Sequence, residues 1–184
     1  MIKKYKRYLF FAILLLICII AIGMIPFIIK QESYDDSVLV VNFLGKDTVV
    51  VDNALPLPDV SGKEINLNNY IDGTTGYLEF EVTSTVDDSV QFEIFLTDED
   101  GNSISDDFIK VYLTGKDGSV YQKKVLSYSE LKLSSKNLNG KLIYKGLLKN
   151  KEKKNFILRM WVSDTYNYTA DRKSFSAKVN VKVL

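Results

Sequence analysis

The hydrophobic and polar positions of the chain follow two different patterns. From Leu9 to Ile29 no residue is charged, and Leu, Ile and Phe dominate. Beyond residue 37, short runs of β-branched and aromatic residues are separated by Asp, Asn, Gly and Ser. A continuous apolar stretch of about 20 residues is typical of a transmembrane helix, whereas a period of two is typical of half-buried strands. The pattern therefore predicts one membrane helix followed by a β-rich domain.

Residues 9–29 are long enough to cross a hydrocarbon core of ~30 Å as a helix. Lysine and arginine dominate residues 1–8, whereas acidic residues appear in residues 30–37. By the positive-inside rule, we expect a cytoplasmic tail at 1–8, a juxtamembrane linker at 30–37 and an extracytoplasmic domain at 38–184. The side chains expected to anchor the chain in the membrane are Leu9, Phe10, Leu14, Leu15, Leu16, Ile19, Ile20, Ile25, Phe27 and Ile28.

A cleaved signal peptide is the alternative for this segment. Its apolar region normally spans only ~7–15 residues and ends at a small-x-small site. Here the apolar run is longer, and its exit, Gly23–Ile29, contains no such site. A lipoprotein box at Cys18 is also disfavoured, because bulky Ile17 stands where a small residue belongs. We therefore expect an uncleaved signal-anchor.

The alternating pattern is clearest in two consecutive runs. In Tyr77–Thr83 the apolar residues share one face and Glu79 and Glu81 the other, and Val90–Leu96 repeats this pattern. Two aspartates between the runs favour a turn, so we expect the two strands to pair as a hairpin. Further strands are predicted at Val38–Phe43, Thr48–Val51, Phe108–Leu113, Ser119–Leu126, Lys141–Leu148, Asn155–Val162 and Ser174–Val183.

So many short strands predict an all-β antiparallel β-sandwich, either Ig-like or a jelly roll. The helix expected outside the membrane is a turn or two near Ser129–Leu133, capped by Ser127 or Ser129. Asn53–Asn69, with two prolines, is expected to be a long irregular connection. We expect Trp161 in the core or on a sheet face rather than as a ligand platform. The predicted core is Leu78, Phe80, Val82, Phe92, Ile94, Leu96, Val111, Leu113, Ile143, Ile157, Leu158, Met160 and Val162.

Composition argues against several kinds of catalytic site. The chain has no histidine, which removes a Ser-His-Asp triad and the commonest zinc ligand. The lone cysteine, Cys18, lies in the apolar run, so the domain beyond it has no thiolate ligand and no disulfide. Glu79, Glu81 and Glu93 are candidates for glycoside hydrolysis by paired carboxylates. All three occupy polar positions of alternating strands, so we expect them on the solvent face and expect no enzymatic activity.

One acidic segment is a candidate cation site. Asp98, Asp100 and Asn102 alternate, and calcium prefers such oxygen ligands. An EF-hand loop requires glycine after the third ligand, but Ser103 stands there. The other interpretation is a solvated hairpin loop built on Asp100-Gly101. We therefore expect no cofactor, with calcium at these three residues as the alternative.

The charges are divided between two halves of the chain. Residues 31–107 carry 18 acidic and 2 basic residues, and residues 108–184 carry 5 acidic and 17 basic residues. If strands from both halves interleave, opposite charges neutralise each other across the sheets. If the charges segregate to opposite ends or sheets, the domain is a dipole suited to head-to-tail self-association. The basic run Lys149–Lys154 is either a solvated loop or a contact for polyanions or lipid headgroups.

Five segments carry a resemblance to a known group of proteins. They are the leader Lys3–Ile29, the strands Phe80–Thr83 and Leu158–Val162, the strand and turn Phe92–Asn102, and Tyr144-Lys145-Gly146. The layout loosely resembles the exported Gram-positive β-sandwich proteins related to camelysin and the TasA biofilm-fibre protein. The leader departs from that family because it lacks the cleavage site, and the resemblance supplies no catalytic residue.

These observations predict a membrane-anchored, non-enzymatic β-sandwich that makes protein–protein or self-assembly contacts at the cell surface. Such contacts can form by strand pairing along an exposed sheet edge. The expected partners are the lipid bilayer and a protein or a second copy of the chain, not nucleic acid. The alternative function is an extracytoplasmic module that binds wall or glycan ligands, assisted by calcium.

Overall fold

The computed structural model describes residues 38–52, 55–69, 75–168 and 172–184. The predicted membrane helix at 9–29, its two flanks and all the anchor side chains named above lie outside the described residues. Among the residues that are described, no helix has the length and apolarity needed to cross a bilayer.

Two five-stranded sheets make up the described part of the domain, and neighbouring strands within each sheet run antiparallel. The strands are β1 (Leu39–Phe43), β2 (Thr48–Asp52), β3 (Gly76–Ser84), β4 (Val90–Asp98), β5 (Ile109–Gly115), β6 (Leu126–Ser127), β7 (Lys132–Leu133), β8 (Lys141–Leu148), β9 (Lys153–Val162) and β10 (Ser174–Val183). Sheet A has the order β1-β3-β9-β5-β6, and sheet B has the order β2-β10-β4-β8-β7. The all-β prediction is therefore confirmed.

The predicted hairpin between the two clearest strands is wrong. β3 pairs with β1 and β9 in sheet A, whereas β4 pairs with β10 and β8 in sheet B. The two strands lie in different sheets and are linked through the core by β9. Phe156 of β9 contacts Phe80 of β3 at 5.3 Å between ring centroids and Phe92 of β4 at 6.2 Å. Alternation fixes which face of a strand is buried, but not which strand lies beside it.

The core lies between the two sheets. Every core residue predicted above is buried, but Ile157 is not part of this core, because it alternates with the core residues Phe156 and Leu158 along β9. A second correction concerns the run Ser119–Leu126, of which only the last residue enters a strand, β6. The side chain of Gln122 explains the interruption. Its Oε1 accepts a hydrogen bond of 2.7 Å from the backbone N–H of Leu113 in β5. The side-chain oxygen of Gln122 thus accepts the hydrogen bond that a backbone carbonyl of a neighbouring strand would accept in a regular sheet.

The segment 55–69 lies on the outer face of sheet A and is not wholly irregular. It contains the helix α1 (Asp59–Lys63), in which Gly62 lies against the indole of Trp161. Arg159 of β9 donates from Nε to the carbonyl oxygen of Ile65 at 2.6 Å. Trp161 is therefore buried on a sheet face, beneath a covering segment, which confirms its predicted structural role.

A second segment covers part of the outer face of sheet B. It follows β7 and contacts β4, with Gly140 packed directly against the ring of Phe95. Before β7 lies a 3₁₀ turn, Tyr128–Glu130, whose preceding residue Ser127 donates its N–H to the Glu130 carboxylate at 2.7 Å. The predicted helical turn thus exists, but its second half is strand β7.

Candidate functional site

Two of the carboxylates considered for hydrolysis are half-buried and engaged in ion pairs. Glu79 and Glu81 lie on the outer face of sheet A, and each is held by its own lysine. Lys116 is 3.0 Å from Glu79, and Lys153 is 3.0 Å from Glu81. Burial alone would raise the pKa of Glu79, but hydrogen bonds from Tyr77 and Lys116 outweigh it and lower the pKa. A depressed pKa suits an ion pair, not a general acid.

Glu93 is fully buried, so the expectation that it faces solvent is wrong. Its carboxylate accepts hydrogen bonds from both serine hydroxyls that follow β7, Ser134 and Ser135, at 2.7 Å each. Lys145 of β8 lies 2.6 Å away. Burial alone would raise the pKa of Glu93, but Lys145 and the two serines hold it at about 2. This carboxylate fastens the covering segment to sheet B.

The three calcium candidates lie at the end of β4 and in the loop after it. Asp98 and Asp100 are exposed. Asn102 is engaged with β10, because its Oδ1 accepts from the N–H of Ser176 at 2.7 Å and its Nδ2 donates to the Ser176 carbonyl at 3.1 Å. Among the described residues, no group of three His, Cys, Asp or Glu side chains is placed to hold a metal ion. The calcium alternative therefore stays a prediction.

The ion pairs favour interleaving of the two charged halves. In the described residues, six pairs join an acid of residues 31–107 to a base of residues 108–184. They are Asp47–Lys178, Asp52–Arg172, Glu79–Lys116, Glu81–Lys153, Asp87–Lys151 and Glu93–Lys145. The basic run Lys149–Lys154 is partly neutralised by these contacts, since Lys151 and Lys153 belong to it.

The two sides of the domain differ in how their edge strands are protected. On one side lie β1 and β2, five residues each, with sequences LVVNF and TVVVD. On the other side lie β6 and β7, only two residues each. Among the described residues, no strand pairs with the outer edge of β1 or β2. Natural edge strands are commonly shortened, charged or bulged, and β1 and β2 carry only a terminal aspartate.

The backbone groups at this open edge follow from the hydrogen-bond register. The carbonyl of Asp47 accepts from Val179 at 2.8 Å, so the backbone of every second residue from Asp47 points toward β10. The N–H and C=O of Val50 therefore point away from the sheet. Its side chain is 40% exposed, so Val50 combines free backbone groups with an accessible apolar side chain.

Exposed apolar side chains gather beside the open edge. Leu44, Val50 and Leu67 line a groove of about 370 Å³, together with Tyr77 and Glu79. All three aliphatic residues are exposed. We call this surface, made of β1, β2 and the groove, the edge site.

A cleft on the opposite side of the domain has a different character. It measures about 590 Å³ and lies between the segment 121–132 and β8. Tyr121 and Tyr144 line it, with ring centroids 4.9 Å apart. Gln122 also lines it and is 7% exposed. Lys124 and Lys132 also line it. We call this the tyrosine cleft.

Sequence reasoning missed the tyrosine cleft, because no motif marks Tyr121 or Gln122 and the surrounding run was predicted to be a strand. The edge site did have a sequence signal, namely two consecutive strand-forming runs without lysine or arginine. The third unexpected feature, the Glu93 anchor, has no local signal, because its partners lie 41 and 42 residues away.

No protein-family model matches the chain, and no curated protein matches it.

Proposed function

We propose that this chain is a membrane-anchored, non-enzymatic protein whose all-β domain makes protein–protein contacts at the cell surface through the edge site. The observation that carries this proposal is the contrast between the two sides of the domain. An edge of five residues per strand with almost no charge is a ready template for another strand. On the other side β6 and β7 have two residues each, and the part of β8 that β7 leaves uncovered carries a lysine, Lys145, and a glycine, Gly146, which disfavour pairing.

We further infer that the all-β fold is a jelly roll. From β1 to β5 consecutive strands alternate between sheets A and B, and β8, β9 and β10 alternate again. Only β5–β6 and β7–β8 are consecutive strands that pair as neighbours. An Ig-like sandwich contains more hairpin neighbours within each sheet, whereas a jelly roll wraps its strands across both sheets.

The membrane part of the proposal is supported by the sequence of residues 9–29 and the basic residues before it. The test is fractionation of cells that produce the full chain, followed by protease treatment of intact cells. We expect the chain in the membrane fraction and its carboxyl-terminal domain to be cleaved from outside. A chain whose mature N-terminus begins near Gln31, or one resistant to external protease, contradicts this part.

The contact surface is tested by a photo-crosslinking residue at position 50 in living cells, with position 133 as the matched control. Val50 and Leu133 are both exposed, at 40% and 58%, but lie on opposite sides of the domain. We expect a discrete crosslinked species from position 50 and none from position 133. The substitution Val50→Lys should abolish strand addition, as a lysine on an edge strand does, whereas Leu133→Lys should have no effect. Equal crosslinking at both positions contradicts an edge-specific contact.

A further inference from the structure

We propose that the tyrosine cleft binds an anionic saccharide, that is, a sugar ring carrying a carboxylate or phosphate group. The cleft has the size of a small-ligand site, about 590 Å³. It lies on the opposite side of the domain from the edge site, so the two proposals fail or succeed independently.

Gln122 supplies a hydrogen-bond donor that has no acceptor in the described part of the chain. Its Oε1 accepts from the Leu113 N–H at 2.7 Å, which fixes the orientation of the amide, because a flipped amide would place two donors together. Its Nε2 is buried and has no hydrogen-bond partner among the described residues. Buried polar groups are almost always paired, so we assign the missing acceptor to a hydroxyl or carbonyl oxygen of a ligand, which meets this shielded donor once a rim side chain turns aside.

The two tyrosines supply an amphipathic wall that is held in place from behind. Tyr121 and Tyr144 are half-buried, and both pack on Phe156, with ring centroids 4.9 Å and 5.7 Å away. Phe156 belongs to the core, so the rings lose little freedom when a ligand binds. Tyrosine offers an apolar ring and a hydroxyl, which suits a sugar with its C–H face and its hydroxyl groups.

The rim of the cleft favours a negative charge on the ligand. Lys124 and Lys132 are exposed, and neither takes part in an ion pair within the described residues. Lys145 also lines the cleft but is bound to Glu93. The one carboxylate of the lining, Glu130, keeps its negative charge and lies near enough to attract Lys124, whereas Lys132 has no carboxylate partner among the described residues. Free positive charge therefore exceeds free negative charge at the cleft.

The experiment uses the full chain in phosphatidylcholine nanodiscs, with saturation-transfer NMR and calorimetry. The probes are tetragalacturonate, glucose 6-phosphate, neutral cellotetraose and octanoate. We expect one or both anionic sugars to bind, and cellotetraose to bind at least about tenfold more weakly. Which anionic sugar binds distinguishes a carboxylate from a phosphate ligand. Octanoate binding as tightly as the sugars, or no binding of either anionic sugar, overturns the proposal.

Matched variants locate the site. Lys132→Gln should weaken binding of the anionic sugar by about tenfold, whereas Lys136→Gln, which removes the same charge outside the cleft, should leave it unchanged. Gln122→Glu keeps an oxygen that accepts from the Leu113 N–H but replaces the amide NH₂ donor by a second carboxylate oxygen, so we expect binding to be lost. Equal effects of Lys132→Gln and Lys136→Gln overturn the assignment to the cleft, even if Gln122→Glu fails to fold.

Discussion

Glu93 lies at a polar position of an alternating strand, yet it is among the most buried residues of the described domain. Its neighbours on the outer side of sheet B are not water but the segment that follows β7. Four donors surround its carboxylate: the Nζ of Lys145, the hydroxyls of Ser134 and Ser135, and the Ser135 N–H at 3.1 Å. A buried carboxylate is tolerated only when such donors replace the lost water.

Substitution of Glu93 by Ala should lower the free energy of unfolding by about 2–4 kcal/mol, because two serines lose their acceptor and Lys145 loses its partner. Denaturant unfolding of the full chain, followed by the fluorescence of Trp161, measures the change. Glu99→Ala is the control, since Glu99 is an exposed side chain outside the described ion pairs. A loss of less than about 0.5 kcal/mol in Glu93→Ala, as expected for ordinary surface sites, would contradict the anchoring role.

The low pKa of Glu93 also predicts acid sensitivity. Its pKa of about 2 in the folded protein lies below the ordinary value of 4.5. The ionised Glu93 carboxylate therefore stabilises the folded protein fully above about pH 5, and this contribution is lost as the pH falls toward about 2. We expect up to about 3 kcal/mol to disappear over this range. Asp47, Glu79 and Glu81 also have lowered pKa values and add to the slope in the same direction.

The difference between the parent protein and Glu93→Gln isolates the contribution of Glu93. Unfolding curves recorded from about pH 7 to pH 2 should converge at the acid end, because the parent carboxyl is then protonated. A constant gap between the two proteins at all pH values would show that the carboxylate charge is unimportant.

At the scale of elements, short segments packed on the outer faces of the two sheets bury strand residues such as Trp161 and Glu93. The helix α1 packs on sheet A through a residue without a side chain. A Cβ at Gly62 would lie 2.1 Å from a ring carbon of Trp161, inside the van der Waals contact distance. The glycine is thus required by close approach of backbone and indole.

Gly62→Ala should displace α1 and lower the free energy of unfolding by about 1–3 kcal/mol, as overpacking does. Trp161 is the one tryptophan of the chain, so its emission spectrum reports directly on the contact. We expect a shift to longer wavelength in Gly62→Ala and none in Ser61→Ala, whose side chain is exposed. An unchanged spectrum in both variants would argue against the packing of α1 on Trp161.

Asn102 attaches the loop after β4 to β10. The effect of its removal with and without calcium distinguishes this attachment from calcium binding. Asn102→Ala removes hydrogen bonds to both backbone groups of Ser176 and should cost about 1–2 kcal/mol. The loss should be equal in EDTA and in millimolar calcium, measured by thermal melting. A loss seen only with calcium present would favour the cation site at Asp98, Asp100 and Asn102. Asp100→Ala, which leaves the Asn102 bonds intact, is the control.

At the scale of the whole molecule, the topology places strands of the acidic first half beside strands of the basic second half. Residues 31–107 contribute β1 to β4, and residues 108–184 contribute the remaining strands. β3 lies beside β9 and β4 lies between β10 and β8, so acidic and basic strands adjoin. In the ion pairs Lys116–Glu79, Lys151–Asp87 and Arg172–Asp52 the basic side chain is exposed, so each pair contributes little to the free energy of unfolding.

Contacts through the edge site should therefore be insensitive to salt. The strands β1 and β2 contain one charged residue, Asp52, which is paired with Arg172 at 2.7 Å. In the groove Glu79 is paired with Lys116, which leaves Lys46 as the further charged side chain of the lining. Crosslinking from position 50 should persist between about 50 and 500 mM NaCl, over which the Debye length falls severalfold. Loss of the crosslink at high salt would instead favour association through charge complementarity.

The sequence by itself determined the β-rich class, the strands Lys141–Leu148 and Ser174–Val183 to the residue, and the buried face of each long strand. These features are local, because the period of two places alternate side chains on one face whatever the neighbouring strand is. The sequence also shows that β1 and β2 contain no lysine, but the position of these strands at the sheet edges is known only from the topology.

Only the tertiary structure decided which strands are neighbours, and hence that β3 and β4 lie in different sheets. It also decided that Glu93 is covered, that Gln122 interrupts a strand, and that Tyr121 and Tyr144 meet on Phe156. Each of these depends on contacts between segments distant in sequence. The alternation of apolar and polar residues in a strand does not indicate which segment will pair with its edge or cover its outer face.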